Sequence, residues 1–211
     1  MSKLISDFSA DSVTFSEIKK TARGGKYILL SDSGREMYIQ FPSLNAPFGI
    51  SEPNDQAKEY SLNLSLTDEV IDKLRELEEK VLVHVSENSK ELFGKTVDKS
   101  VLEDMLFNPI IKKAKDDKYA PTMKLKVSSG EGKYVADFYK NSTEKVPISD
   151  IKKGSKIESI VRVGQVWFIG GKFGISLKLE QAKVHMNSKI SGYAFKDDED
   201  DQIDIPDDVS N

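Results

Sequence analysis

The chain of 211 residues contains no cysteine. That excludes a disulfide framework and any thiolate metal site, and it agrees with a reducing, intracellular compartment. Histidine is scarce: His84 and His185 stand far apart with no ligand pattern near either, which argues against a metal or catalytic role. No apolar run approaches the roughly 18–20 residues that span a membrane, and the opening MSKLISDFSADS lacks the apolar centre of a secretory signal. A membrane partner is not expected. Glycine clusters at 170–174, in a spacing that fits neither the phosphate loop nor the dinucleotide fingerprint. No serine sits in a nucleophile-elbow context. The dense carboxylates lie at the end of the chain, where no rigid frame pairs them for acid–base work. Catalysis, a bound metal and a cofactor are therefore all unexpected.

Charge is present but segregated. The net charge is −4 overall. From Lys196 onward one basic residue faces eight acidic ones, Asp197, Asp198, Glu199, Asp200, Asp201, Asp204, Asp207 and Asp208, so that segment carries −7 and residues 1–195 carry +3. Such a tail reads either as a solubiliser or as a competitor with a polyanion for the basic body. Residues 1–11 read as a flexible arm, 12–195 as the folded domain, and 196–211 as a disordered acidic tail.

Strand signals dominate the body. Ile157 to Val184 (IESIVRVGQVWFIGGKFGISLKLEQAKV) holds the single tryptophan and reads as a long hairpin turning at Gly170–Gly174. Alternation along its first strand groups Val161, Val163, Trp167 and Ile169 against Ile160, Arg162, Val166 and Phe168. The return strand sets Phe173, Ile175, Leu177 and Leu179 against Ser176, Lys178 and Glu180. Further strands are predicted at Val13–Lys20, Lys26–Ser31, Arg35–Phe41, Glu59–Leu66, Thr122–Val127 and Lys133–Lys140. Three prolines predict an irregular loop over Pro42–Asp55. Thr67 is a candidate N-cap, and Val70, Leu74, Leu77 and Val81 recur at helical spacing behind it. A shorter helix is predicted at Lys99–Leu106. The fold class is thus mainly β with a helical insertion over about 67–106, and the oligonucleotide-binding (OB) barrel is one such architecture.

Basic residues beside rings recur on these strands, as single-stranded nucleic acid binders require: cations neutralise phosphates and rings stack on bases at about 1–3 kcal/mol each. The candidate nucleic-acid-binding residues are Arg35, Tyr38, Lys124, Lys126, Tyr134, Phe138, Tyr139, Lys140, Arg162, Trp167, Lys172 and Lys178. Lys26 beside Tyr27 belongs to the same pattern. Trp167 reads equally as core or as a stacking ring, Phe173 reads as core, and one face among Tyr134, Phe138 and Tyr139 must be core. The other class of function open to this composition is an acidic-tailed interaction scaffold, or chaperone for basic proteins, with no nucleic-acid binding.

Asn45-Ala46-Pro47-Phe48-Gly49-Ile50, Gly164-Gln165-Val166-Trp167-Phe168 and Gly171-Lys172-Phe173-Gly174-Ile175-Ser176-Leu177-Lys178-Leu179-Glu180-Gln181-Ala182-Lys183-Val184 resemble the single-stranded-DNA-binding proteins of large eukaryotic DNA viruses. Those are similar in turn to the replication single-strand binders of podophages. The resemblance implies an OB barrel that coats unpaired DNA without sequence preference in replication, recombination or repair. It also implies an acidic tail that contacts replication proteins such as a DNA polymerase or helicase and occludes the DNA groove. The phage tails close on an aromatic, whereas this chain runs to Val209-Ser210-Asn211, with Phe195 as the nearest substitute. If viral, the protein would work at replication sites in the host cytoplasm or nucleus. An exposed barrel strand or the helical insertion offers a route to a homodimer.

Overall fold

The computed structural model describes residues 2–22, 24–55, 59–128 and 136–185. Tyr134 and the acidic tail lie outside them. Among the described residues the strands are β1 (Lys3–Leu4), β2 (Val13–Phe15), β3 (Lys19–Lys20), β4 (Lys26–Asp32), β5 (Arg35–Ala46), β6 (Ile50–Ser51), β7 (Tyr60–Ser65), β8 (Phe107–Asn108), β9 (Thr122–Val127), β10 (Asp137–Tyr139), β11 (Ser155–Ile169) and β12 (Lys172–His185). The helices are α1 (Asp68–Glu87), α2 (Ser89–Phe93) and α3 (Lys99–Val101), the last running on as a π turn over Leu102–Leu106. The protein is mainly β with a helical insertion.

The β11–β12 hairpin is the spine. Gly170 and Gly171, both at positive φ (58° and 76°), form its two-residue turn. The strands then pair antiparallel from Ile169↔Lys172 to Lys156↔His185. One edge of β11 is shared: β5 pairs with Ser155–Val163, and β4 takes over along Gln165–Phe168. The far edge of β12 is covered by three parallel pieces, β8 at Phe173, β9 at Lys178 and β10 at Gln181–Lys183. β9 continues the sheet to β7, and β7 to β6. β5 and β7 approach within 8 Å, but among the described residues no ladder joins them, so barrel closure is not seen.

Two expectations fail in β5 and β11, both at bulges. β5 does not stop at Phe41 but runs on to Ala46. Phe41 pairs with Ser159 and Leu44 with Ile157, so Pro42 and Ser43 stand opposite Glu158 alone. A bulge tolerates proline because its missing N–H costs no ladder bond. In β11, Val163 pairs with Leu177 and Val166 with Ile175, so Gly164 and Gln165 oppose Ser176. The extra residue reverses the strand's facing. Ile157, Ser159, Val161 and Val163 are buried before it, and Val166 and Phe168 after it, while Trp167 and Ile169 turn outward with Ile160 and Arg162. The expected grouping of Trp167 with Val161 and Val163 is therefore corrected.

One continuous core joins the inner residues of the sheet to the helices. Val70, Leu74, Leu77, Val81 and Val85 of α1 are buried, the stripe the helical spacing predicts. Thr67 sits at the N-cap in extended backbone, but its side chain makes no capping hydrogen bond. Phe93 meets Phe168 and Phe173 at ring-centroid distances of 5.8 and 6.1 Å, and Phe107 meets Phe173 at 5.1 Å. Phe173 is a core residue. Lys26 Nζ donates to the carbonyls of Glu91 (2.7 Å) and Leu92 (2.9 Å), tying the end of α2 to β4.

Glu78 on α1 is a buried carboxylate that accepts from the backbone N–H groups of Ile110 and Ile111. It fastens the segment after β8 to the helix. Burial raises its pKa, against those hydrogen bonds and the nearby charges of Lys112 and Arg75. The folded protein thus holds this proton more tightly than the unfolded chain does. The stability Glu78 contributes is full below the ordinary glutamate range and is lost as pH rises through the raised value. Glu78→Gln keeps an acceptor and removes the charge, so its melting temperature is expected to exceed the parent's at pH 8, with the gap closing by pH 4. Glu78→Ala leaves two N–H groups unmatched and is expected to cost about 1–3 kcal/mol throughout. A pH-independent offset between Glu78→Gln and the parent would contradict this.

Candidate nucleic-acid interface

The sheet face turned away from the core carries most of the predicted residues, and strand register decides which ones meet. Tyr38 on β5 pairs with Arg162 on β11, Arg162 with Lys178 on β12, and Lys178 with Lys126 on β9. These four form a row across four strands, spanning about 14 Å at the usual strand spacing. Lys124 lies two residues before Lys126 on the same exposed side of β9. Some 15 Å further along β11 runs a second row. Lys19 pairs with Tyr27, Tyr27 with Trp167, Trp167 with Gly174, and Gly174 with Asn108. The bulge at Gly164–Gln165 sets the second row on the same outward face as the first.

Trp167 is half-exposed and rests on Gly174. A Cβ at Gly174 would fall 2.7 Å from Trp167 Cζ2 and 2.9 Å from the Asn108 carbonyl oxygen. Only glycine leaves the indole that seat. Tyr27 beside it is also half-exposed. Sequence reading noted Tyr27 through its neighbour Lys26 but did not select it; its alternation with buried Ile28 was the available signal. Lys19 was missed, because a two-residue strand has no periodicity to read.

The cations of the first row are not bare. Arg162 Nη1 lies 3.2 Å from Glu36 Oε1, and its Nε 3.4 Å from Glu180 Oε1. Lys178 Nζ is 4.0 Å from Glu180, and Lys126 Nζ 3.9 Å from Glu59. The Tyr38 hydroxyl donates to Glu36 Oε2 at 2.9 Å, and that bond holds the phenol's pKa above its ordinary value. The pairs to Glu36 and Glu59 lie on the open surface, where an ion pair contributes about 0–1 kcal/mol, so a phosphate can displace those carboxylates; Glu180 is set deeper, its side chain 15% exposed. Lys124 and Lys172 make no ion pair among the described residues.

The remaining predicted residues stand apart. Arg35 begins β5 beside the Ser33–Gly34 turn, and Lys172 closes the β11–β12 turn. Lys140 follows β10 and pairs with Glu144 at 3.5 Å. Phe138 is 3% exposed and belongs to the core; its selection as a base-stacking ring is corrected. Its neighbour Tyr139 faces outward, with its hydroxyl 3.2 Å from Asp137 and Lys145 over its ring at 5.5 Å. His84 stacks on Phe15 with centroids 3.8 Å apart, and burial lowers its pKa. His185 Nε2 lies 2.7 Å from Glu158. No helix among the described residues is long and apolar enough to cross a membrane.

A twisted sheet with helices on one side and an open, mixed-charge face on the other defines the class. The chain belongs to a family of unknown function (DUF5871), whose model matches residues 53–197. Among solved structures it is similar to the single-stranded DNA-binding protein from bacteriophage Enc34 in a C-terminally truncated form, at 12% identity and TM-score 0.49, over 85% of this chain and 98% of that one. It is similar to the same phage protein in complex with ssDNA at 13% identity and TM-score 0.46, over 83% and 97%. It is also similar to a single-stranded DNA binding protein encoded by bacteriophage T7, at 13% identity and TM-score 0.48, over 76% and 98%. No curated protein matches the chain.

Gly174→Ala tests the seat of the indole. The added methyl must move the ring or the Asn108 backbone, an overpacking expected to cost about 1–3 kcal/mol and to shift the Trp167 emission maximum. An unchanged melt together with an unchanged emission spectrum would show that the ring does not rest there.

Proposed function

We propose that this protein binds single-stranded DNA without sequence preference, through the outer face of its sheet, and coats unpaired DNA in replication, recombination or repair. The observation that carries the reading is the register itself. Tyr38, Arg162, Lys178 and Lys126 share one transverse row, and Tyr27 and Trp167 share the next. Phosphates take up the row of cations, and bases stack on the half-exposed rings. A duplex hides its base faces and has less use for such rings. The residue-level resemblance to viral single-strand binders supports the same reading and suggests a viral setting.

The acidic tail enters the reading as a competitor. Strand β12 ends at His185, opposite Lys156, and the first tail carboxylate, Asp197, follows twelve residues later in the sequence. The tail's −7 would rest weakly on the cations when DNA is absent and become available to replication proteins when DNA displaces it.

Titrating the full chain with oligo-dT is expected to quench Trp167, the single tryptophan. With Arg162, Lys178, Lys126 and Lys124 engaged, log affinity should fall against log salt with a slope of about −3. Removing residues 196–211 is expected to tighten binding, most at low salt. A tail deletion that weakened or abolished binding would overturn the competition. An intact protein that ignored oligo-dT in dilute buffer would overturn the whole reading.

A further inference from the structure

The outer face has a second end, and a motif there has no part in the two rows. Between β5 and β6 the chain turns through Pro47-Phe48-Gly49. Phe48 is 64% exposed, yet the backbone beneath it is held firmly. Gly49 has φ +67°, and a Cβ on it would lie 2.8–2.9 Å from the backbone of residues 151–153. Gly49 N–H donates to the Ala46 carbonyl at 3.3 Å, Gly154 N–H to the same carbonyl at 2.8 Å, and Ile50 N–H to the Ile151 carbonyl at 3.3 Å. The turn is thus stitched to the segment that carries Lys152 and Lys153, both exposed. Lys156, also exposed, follows on β11 in register with Asn45 and His185.

This patch differs from the central row in its charge. Glu36, Glu59 and Glu180 stand among the cations of the row, whereas Lys152, Lys153 and Lys156 make no ion pair among the described residues. The acids nearest them in sequence are Asp150, which is not paired to them, and Glu158, which is held by Lys183 and His185. An exposed ring on an immobilised turn, backed by three uncompensated ammonium groups, is the pairing that a base and its flanking phosphates require.

We propose that Phe48 with Lys152, Lys153 and Lys156 forms a second contact for single-stranded DNA, so that a long strand runs along β11 from Trp167 to Phe48. This rests on the single-strand reading above. From Trp167 to Lys156 is about 36 Å of strand, which a short oligonucleotide bound at one end does not cover. Between the two ends lies a cavity of about 190 Å³ lined by Gln40, Tyr139, Glu158, Ile160, Gln181 and Lys183. Ile160 is flanked in register by the two glutamines, and the one acid in the lining, Glu158, is already held by Lys183 and His185. An anionic membrane is the other surface that a phenylalanine among lysines suits. Interfacial binding scales with buried apolar area, however, and Phe48 is the one large exposed hydrophobic residue in this turn.

The test measures anisotropy of labelled (dT)8 and (dT)30 with the full chain, Phe48→Ala and the double variant Lys152→Glu/Lys153→Glu. Phe48→Ala is expected to weaken (dT)30 by about five- to tenfold and to leave (dT)8 within twofold. The charge reversal should weaken (dT)30 further and flatten its salt dependence. Unchanged (dT)30 affinity in both variants overturns the proposal, as does an equal loss for both lengths, which would make the patch the primary site. Binding to phosphatidylserine vesicles that Phe48→Ala abolishes, with (dT)30 unaffected, overturns it in favour of a membrane. Failure of the parent chain to bind either oligonucleotide removes the single-strand reading itself.

Discussion

One extra residue in β11 sets the character of the protein. At Gly164–Gln165 the strand leaves β5 for β4 and reverses its facing relative to Ser176. Before that point Val161 and Val163 face the core; after it Val166 and Phe168 do. Without the bulge Trp167 would lie with Val161 and Val163 inside the sheet, and Phe168 would leave the cluster with Phe93 and Phe173. With it, the largest ring in the chain is set on the same surface as Arg162, and its phenylalanine neighbour closes the core under α2. The bulge therefore serves packing and the candidate site together, and each constrains the other.

The charge on that surface is tempered. Carboxylates of Glu36, Glu59 and Glu180 accompany the cations of the central row, so its net field is weak, and the exposed pairs to Glu36 and Glu59 are open to exchange. Under the proposed function this would suit a coat that is laid down and removed along unpaired DNA, where a fixed high charge would favour any polyanion. On the same proposal, a weak field would let the acidic tail compete for the face. In that proposal the rings would supply attraction that salt screens less, and the lysines behind Phe48 would add cations that no carboxylate pairs among the described residues.

Much of this was legible in the chain, and the failures share a cause. The strand at Thr122–Val127, the helical stripe of α1, the short helix at Lys99–Leu106 and the hairpin turn follow from local periodicity and turn chemistry, which the sequence displays directly. The facing of Trp167 and the persistence of β5 through Pro42 depend on bulges, which are relations between two strands. Phe138 has the same problem: its three-residue strand is too short for alternation to tell inside from outside, and only its pairing with Ala182 places it in the core. The cations Lys124 and Lys126 were visible individually. Their alignment with Arg162 and Tyr38 was not, since three intervening pairings establish it. Lys26 looked like a phosphate contact and proved to be a bond to the end of α2, a long-range use that no local pattern announces.

The claim at the centre is that one face of the sheet, and not the helical side, meets unpaired DNA. Lysine acylation footprinting with and without saturating oligo-dT tests it most directly. The account predicts that Lys124, Lys126 and Lys178 lose reactivity on binding, while Lys73 and Lys90 on the helices keep theirs. Protection of Lys73 and Lys90 with Lys124, Lys126 and Lys178 left reactive would contradict it.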